Sequence, residues 1–256
     1  MKIGAADILS DLRIGLSLCS RLPLGPVAPV GDGEIARASW SFPVAGLVVG
    51  LAGAVAYWLG ARAHLPPEAS AMLALAATML LTGAMHEDGL ADTADGFGGG
   101  QTRDRKLEIM RDSRIGTYGA AALVTSIILR WSALAAIAEP RAVMLTLIVA
   151  HAVARAPLPI FMRLVPPARA DGLASDAGQP PPESAAIAIA IGIACILFGL
   201  GPGSMVITLV ILSLLALTLA WLATRQIGGQ TGDVLGALEQ VSEAAVLLIA
   251  SSVIIG

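Results

Sequence analysis

The chain has 256 residues, of which 56% are hydrophobic and 14% charged, with a net charge of −3 and a mean hydropathy of +0.78. A soluble domain is about one quarter charged, so this composition excludes water as the main solvent, and the absence of long polar insertions leaves no place for a separate soluble domain. The net charge itself decides little, because in such a chain the placement of charge carries the information.

From the N-terminus, Met1 to Ser20 lacks the basic, apolar and small-residue succession of a cleaved signal peptide, so the segment is expected to be retained. Asp7 to Leu22 places Ile8, Leu9, Leu12, Leu16 and Leu18 on one helical face but also carries Asp7, Asp11, Arg13 and Arg21. Its marginal length predicts an N-terminal interfacial or re-entrant helix. Pro23, Pro26 and Pro29 break it before a polar link with Gly31, Asp32, Gly33 and Glu34. Seven transmembrane helices are then expected: Trp40 to Ala61, Ala69 to Met85, Gly116 to Ala138, Val143 to Ile160, Ser184 to Leu200, Met205 to Ala223 and Val234 to Ile255. Gly46, Gly50 and Gly53 give the first of these the small-residue spacing that lets membrane helices approach closely. Gly98 to Ser113 and the proline-rich stretch from Pro166 to Pro182 read as polar connections. The fold class is therefore all-α, a polytopic membrane bundle forming a single domain over residues 1–256. Cys19 and Cys195 have neither metal nor redox spacing and read as packing residues.

Seven spans put alternate loops on a common side, where twelve of the sixteen lysines and arginines fall. Arg62 and Arg141 lie on the other side, and Arg130 and Arg155 within spans, Arg155 and Arg163 being expected to snorkel to the interface. The bias predicts a cytoplasmic N-terminus and cytoplasmic large loops.

The second span ends in His86-Glu87-Asp88-Gly89-Leu90-Ala91-Asp92-Thr93-Ala94-Asp95-Gly96. Asp88, Asp92 and Asp95 share one face of a helix at i, i+4 and i+7. Three like charges so close repel unless a cation joins them, and an all-oxygen set suits magnesium or manganese better than zinc. The alternative is a solvated helix end. His86 reads either as a structural hydrogen-bonding group or as a substrate contact. Further on, Arg111 and Arg114 lie one turn apart with guanidinium forks suited to phosphate, and Asp112 between them is a possible fourth metal ligand. Arg103, Arg105 and Lys106 are explained by topology alone. Gly228-Gly229-Gln230-Thr231-Gly232-Asp233 opens the last span, where small residues can bring backbone N–H groups to an anion and Asp233 can face the metal. Glu239 and Glu243 follow inside that helix as functional or paired groups.

Together these elements resemble the cobalamin synthase family, the adenosylcobinamide-GDP ribazoletransferases. The motifs are His86 to Gly96, Arg103 to Thr117 and Gly228 to Asp233, in that order, with Arg21-Leu22-Pro23, Ala168-Arg169, Gly172-Leu173 and Glu243 extending the similarity over nearly the whole chain. Glu87 departs from it, standing where an apolar residue is expected; it reads as an added charge at the rim. The resemblance implies transfer of phosphoryl-cobinamide from adenosylcobinamide-GDP to the ribose hydroxyl of α-ribazole or its 5′-phosphate, with GMP released and Mg2+ required. Under it, Asp88, Asp92, Asp95 and Asp112 are candidate metal ligands. Arg111, Arg114, Arg169, Gly229 and Thr231 are candidate substrate contacts, and Asp95, Asp233 and His86 candidate catalytic groups. The partners implied are the two small-molecule substrates and the lipid bilayer of the bacterial inner membrane, with no nucleic acid; a homo-oligomer is left open.

Two other readings compete. A CDP-alcohol phosphotransferase fits only Asp92 to Gly96, since Gly100 and Gln101 stand where its motif has Ala-Arg. A secondary transporter would use Asp88, Asp92, Glu239 and Glu243 as a cation pathway, without visible inverted halves.

Overall fold

The computed structural model describes residues 5–24 and 33–255. Met1, Pro26, Pro29, Gly31 and Asp32, named above, lie outside them. In order the helices are α1 (Ala5–Cys19), α2 (Glu34–Ala38), α3 (Phe42–Arg62), α4 (Pro67–Thr82), α5 (Met85–Gly99), α6 (Arg103–Ile109), α7 (Thr117–Ile137), α8 (Pro140–Arg155), α9 (Leu158–Leu164), α10 (Leu173–Asp176), α11 (Pro182–Gly199), α12 (Pro202–Ile227) and α13 (Gly232–Ile255). Proline stands in the first turn of α3, α4, α8, α9, α11 and α12. There its missing N–H costs no hydrogen bond and its fixed φ suits the helix. Glu139 caps α8 by accepting from the backbone N–H groups of Arg141 (3.1 Å) and Ala142 (2.6 Å).

Among the described residues six helical segments are long and apolar enough to cross a membrane, and α4 with α5, bent by 88° at its break, forms either a broken seventh span or a re-entrant pair. The expected second span thus stops at Thr82 and is followed by the acid-bearing α5. Gly83 closes α4 in the left-handed conformation (φ 66°), and Ala84 follows at φ 56°. The chain turns there, and the backbone N–H of Arg21 donates to the Leu81 carbonyl at 2.7 Å. The fourth expected span is borne out as one candidate span, Pro140–Leu164, in which a turn at Ala156 and Pro157 separates α8 from α9. The polar connection after α5 holds a short helix, α6, which the sequence reading treats as loop.

The glycine stripe on α3 does what its spacing predicts. A Cβ at Gly46 would lie 2.2 Å from the His151 carbonyl oxygen, one at Gly50 2.5 Å from that of Leu147, and one at Gly53 2.7 Å from the Thr78 methyl. The α3 backbone therefore sits directly on α8 and close to α4, where dispersion between backbones replaces a hydrophobic driving force that lipid does not supply. Tyr57, Leu75, Leu134, Leu147, Val246 and Leu247 pack where α3 and α7 end and α8 begins. A second cluster at the other end joins Cys19, Phe42, Met110, Leu158, Phe161, Ile227 and Leu238. On α12, by contrast, Val206, Ile207, Val210, Leu214, Leu217 and Trp221 all face outward. So large an apolar face belongs against lipid.

The N-terminal helix α1 is held by a buried acid: Asp11, 1% exposed, accepts from Arg37 Nε and Trp40 Nε1, each at 2.9 Å. That contact holds α1 against α2 and the turn before α3 and explains how a helix carrying several charges is kept in this position.

Candidate active site

On α5 the acids separate by face. Asp95 is turned toward α7, where its two carboxylate oxygens accept from the backbone N–H groups of Gly116 (2.7 Å) and Gly119 (2.9 Å). These are N-terminal donors that the helix itself leaves unpaired, and a carboxylate there also meets the positive end of the helix dipole. A Cβ at Gly119 would lie 2.3 Å from Asp95 Oδ2, so the close approach needs glycine. Asp88 is exposed and Asp92 half-buried, and neither makes an ion pair among the described residues.

Two cavities meet at Asp88. The smaller, ≈ 220 Å³, is lined by His86, Asp88, Arg169 and Asp233 together with Leu18, Cys19, Phe42, Met85, Leu158 and Leu235. The larger, ≈ 470 Å³, is lined by Asp88, Asp92, Arg111, Asp112 and Ser113 with Glu87 and apolar residues of α4, α5 and α7. Asp233 is oriented by the Thr231 hydroxyl, which donates to its Oδ2 at 3.1 Å, and Arg169 Nη2 stands 3.8 Å from the same oxygen. Arg169 Nη1 is buried and has no hydrogen-bond partner. Asp88, Asp95 and Asp233 all act on Asp92 by like-charge repulsion.

The basic residues divide differently from their sequence pattern. Arg111 lines the larger cavity and pairs with Asp171 at 2.5 Å. Arg114, its side chain 87% exposed, lines neither cavity and pairs with Asp112 at 2.7 Å. The hydrogen bonds from Arg114 hold the Asp112 carboxyl down at about 2, and Asp112 lines the larger cavity with this partner in place. Arg103, expected to serve topology only, donates from Nε to the Ile227 carbonyl at 2.8 Å and from Nη2 to that of Ala168. It ties α6 to the two segments that carry Arg169 and Asp233. Lys106 is buried and donates to the Phe97 carbonyl at 2.8 Å.

The glycine-rich turn before α13 also has a geometric explanation. Gln230 N donates to Pro166 O and Ala168 N to Gln230 O, each at 2.8 Å, forming a short parallel bridge. A Cβ at Gly229 would lie 2.1 Å from the Pro166 oxygen, so Gly229 lets the two segments touch. Thr231 accepts from Val234 N at 3.3 Å and caps α13. Neither residue lines the two cavities.

Beneath the cavities lies an ion network that the sequence reading did not assemble. Glu87 is not a rim charge: it is buried, with Oε1 3.2 Å from Arg130 Nη1, which also meets Glu243 at 3.3 Å. Arg155 does not snorkel; it is 1% exposed and pairs with Glu239 at 2.6 Å. His86 Nδ1 lies 3.4 Å from Arg155 Nη2, and His151 Nδ1 3.5 Å from Glu243. Among the described residues, His151, Glu239 and Glu243 are the group whose possible metal-ligand atoms all fall within 4.8 Å of one another. Arg155 and Arg130 already provide the cations there. The available signal was the presence of ionisable residues inside spans, with His151 and Arg155, and Glu239 and Glu243, each at i, i+4.

Residues 11–251 match the family described as cobalamin-5-phosphate synthase. The chain belongs to that family. It is 60% identical to an adenosylcobinamide-GDP ribazoletransferase of Bradyrhizobium diazoefficiens over 96% of this chain and 95% of that protein. An equally named protein of Mesorhizobium japonicum is 47% identical over 98% and 96% of the two chains, and one of Ralstonia nicotianae 39% identical over 97% of each. No solved structure matches the chain. This family assignment, together with the pairing of Glu239 and Glu243 to arginines, removes the transporter and CDP-alcohol readings.

Proposed function

We propose that this member of the cobalamin synthase family joins adenosylcobinamide-GDP to α-ribazole or its 5′-phosphate, with release of GMP, in the two cavities that meet at Asp88. The observation that carries this assignment of the site is the pair of carboxylates Asp88 and Asp92, without an ion-pair partner among the described residues and set between Arg111 on one cavity and Arg169 on the other. In the reaction the acceptor's ribose oxygen bonds to the cobinamide-side phosphorus, the P–O bond bridging to GMP breaks, and its electrons leave on GMP. The hydroxyl proton passes to a carboxylate. Asp233, fixed by Thr231 and bordering the smaller cavity, suits that task. Arg169, with Nη1 unpartnered, and Arg111 bind phosphate oxygens. Asp95, with each oxygen accepting a backbone N–H, positions α5 against α7.

The donor set fits magnesium: Asp88 and Asp92 offer hard oxygens that repel each other and lack a cationic partner among the described residues. They would hold it, and its charge would offset that building on the phosphate oxygens. The positive-inside bias supports an inner-membrane protein with this site toward the cytoplasm.

Purified protein supplied with adenosylcobinamide-GDP, α-ribazole and Mg2+ should release GMP and form the cobamide in equal amounts. Absence of GMP release from folded protein overturns the reading. For orientation, a cysteine at Gln101 in a background free of Cys19 and Cys195 should resist an impermeant thiol reagent in intact cells, while one at Leu65 reacts. Equal labelling overturns the cytoplasmic assignment.

A further inference from the structure

We infer that the smaller cavity seats the base of the acceptor, an uncharged apolar two-ring heteroaromatic such as the dimethylbenzimidazole of α-ribazole, and that its wall sets which base is attached. The inference rests on the transferase reading above and names the subsite within it. At ≈ 220 Å³ the cavity lies below the roughly 300–1,000 Å³ that takes a drug-sized ligand, so it admits one fragment of a substrate. Three ring systems compete for it: the corrin, the guanine of the donor and the base of the acceptor. The corrin macrocycle is too large. Guanine brings a ring N–H, an amine and a carbonyl that need partners once buried.

The wall has few to give. Leu18, Phe42, Met85, Leu158 and Leu235, with Cys19, make half of the twelve lining residues. Of the polar lining groups, Asp233 is engaged by Thr231 and Arg169 and His86 by the buried network through Arg155 and Glu239, while the unpartnered Arg169 Nη1 is taken by phosphate in the transferase reading. Asp88 belongs equally to the larger cavity. A base without exocyclic donors leaves none of these groups competing, and its methyl substituents bury against the leucines, phenylalanine and methionine. Seated there, it brings the attached ribose to Asp88 and Asp233, where the acceptor hydroxyl meets a phosphorus held from the Arg111 side.

The test uses full-length protein in detergent. Leu235→Trp fills the cavity. It should weaken equilibrium binding of α-ribazole, measured without donor, and raise the acceptor KM, each by at least about tenfold, with the donor KM changed by less than about twofold. Leu18→Ala enlarges the cavity and should move kcat/KM toward nucleosides with bulkier bases by about tenfold. With the wild-type protein, free 5,6-dimethylbenzimidazole should inhibit GMP release competitively against α-ribazole and not against adenosylcobinamide-GDP, whereas guanine should not compete. That arm needs no variant to fold. A rise in donor KM with unchanged acceptor binding would give the cavity to guanine and overturn the assignment; so would wild-type turnover insensitive to the free base. Failure of the wild-type protein to release GMP at all would instead sink the transferase reading.

Discussion

In the middle of the bundle Glu87, Glu239 and Glu243 face Arg130 and Arg155, all of them buried, whereas Asp88, the residue after Glu87, and Asp92, one turn further along α5, line the larger cavity without an ion pair among the described residues. The residue types are nearly the same and the environments opposite. In the buried set each charge is retained because a partner replaces part of the lost solvation, and removing one partner leaves the other uncompensated. At the cavities the acids are left repelling one another, an arrangement that costs free energy unless a cation or substrate arrives. Acidity alone therefore does not separate a site from a scaffold; the partner does.

The comparison can be broken most forcefully in the buried set. Arg155→Met should cost about 3–5 kcal/mol, seen as loss of monodisperse protein and a lower melting temperature in detergent. Arg130→Met combined with Glu243→Gln should be less destabilised than the sum of the single variants, because the two charges are neutralised together. Additive losses would mean that the two side chains are not coupled.

At the open set the effect should appear in rate and not in folding. Asp92→Asn should keep the wild-type melting temperature and lose turnover by at least about a hundredfold, without recovery at high acceptor concentration. Near-wild-type rates for both Asp88→Asn and Asp92→Asn at saturating Mg2+ would reduce the acids to a solvated helix end. Next in size, Arg169→Lys and Arg111→Lys keep charge but lose the planar fork. Each should lower kcat/KM for the donor about ten- to a hundredfold, the loss of a contact of about 1.5–3 kcal/mol. Arg114→Lys, on a side chain lining neither cavity, should change it less than about threefold. An equal effect at Arg111 and Arg114 would mean that the loop closes over substrate.

The smallest effect concerns pH. Arg114 holds the Asp112 carboxyl at about 2, below its ordinary value of about 4. A depressed carboxylate contributes stability that is fully present above the ordinary value and lost as pH falls through the lower one. Asp112→Asn should therefore leave the shape of the pH–rate profile near neutrality unchanged, and a shift of its acidic limb above pH about 5 would show that Asp112 titrates with the site.

Local chemistry made much of the molecule readable in one dimension. Apolar runs long enough to span a bilayer and the α3 glycines at i, i+4 and i+7 depend only on neighbours in sequence, because helix geometry repeats every few residues. The motif residues from His86 to Gly96 were legible for the same reason, being one short helix. The partners of those residues were not legible. Whether Asp95 faces the α7 N-terminus, Glu87 meets Arg130 thirteen residues into α7, or Arg155 finds Glu239 on α13 depends on how three helices far apart in sequence are rotated against α5. That rotation is set by close packing at glycines such as Gly89 and Gly119, whose Cβ positions are occupied by the neighbouring element. A charge in hydrocarbon must find its partner across such an interface, so the sequence determined which residues had to be paired, and only the tertiary structure decided with whom, leaving Asp88 and Asp92 open to a ligand.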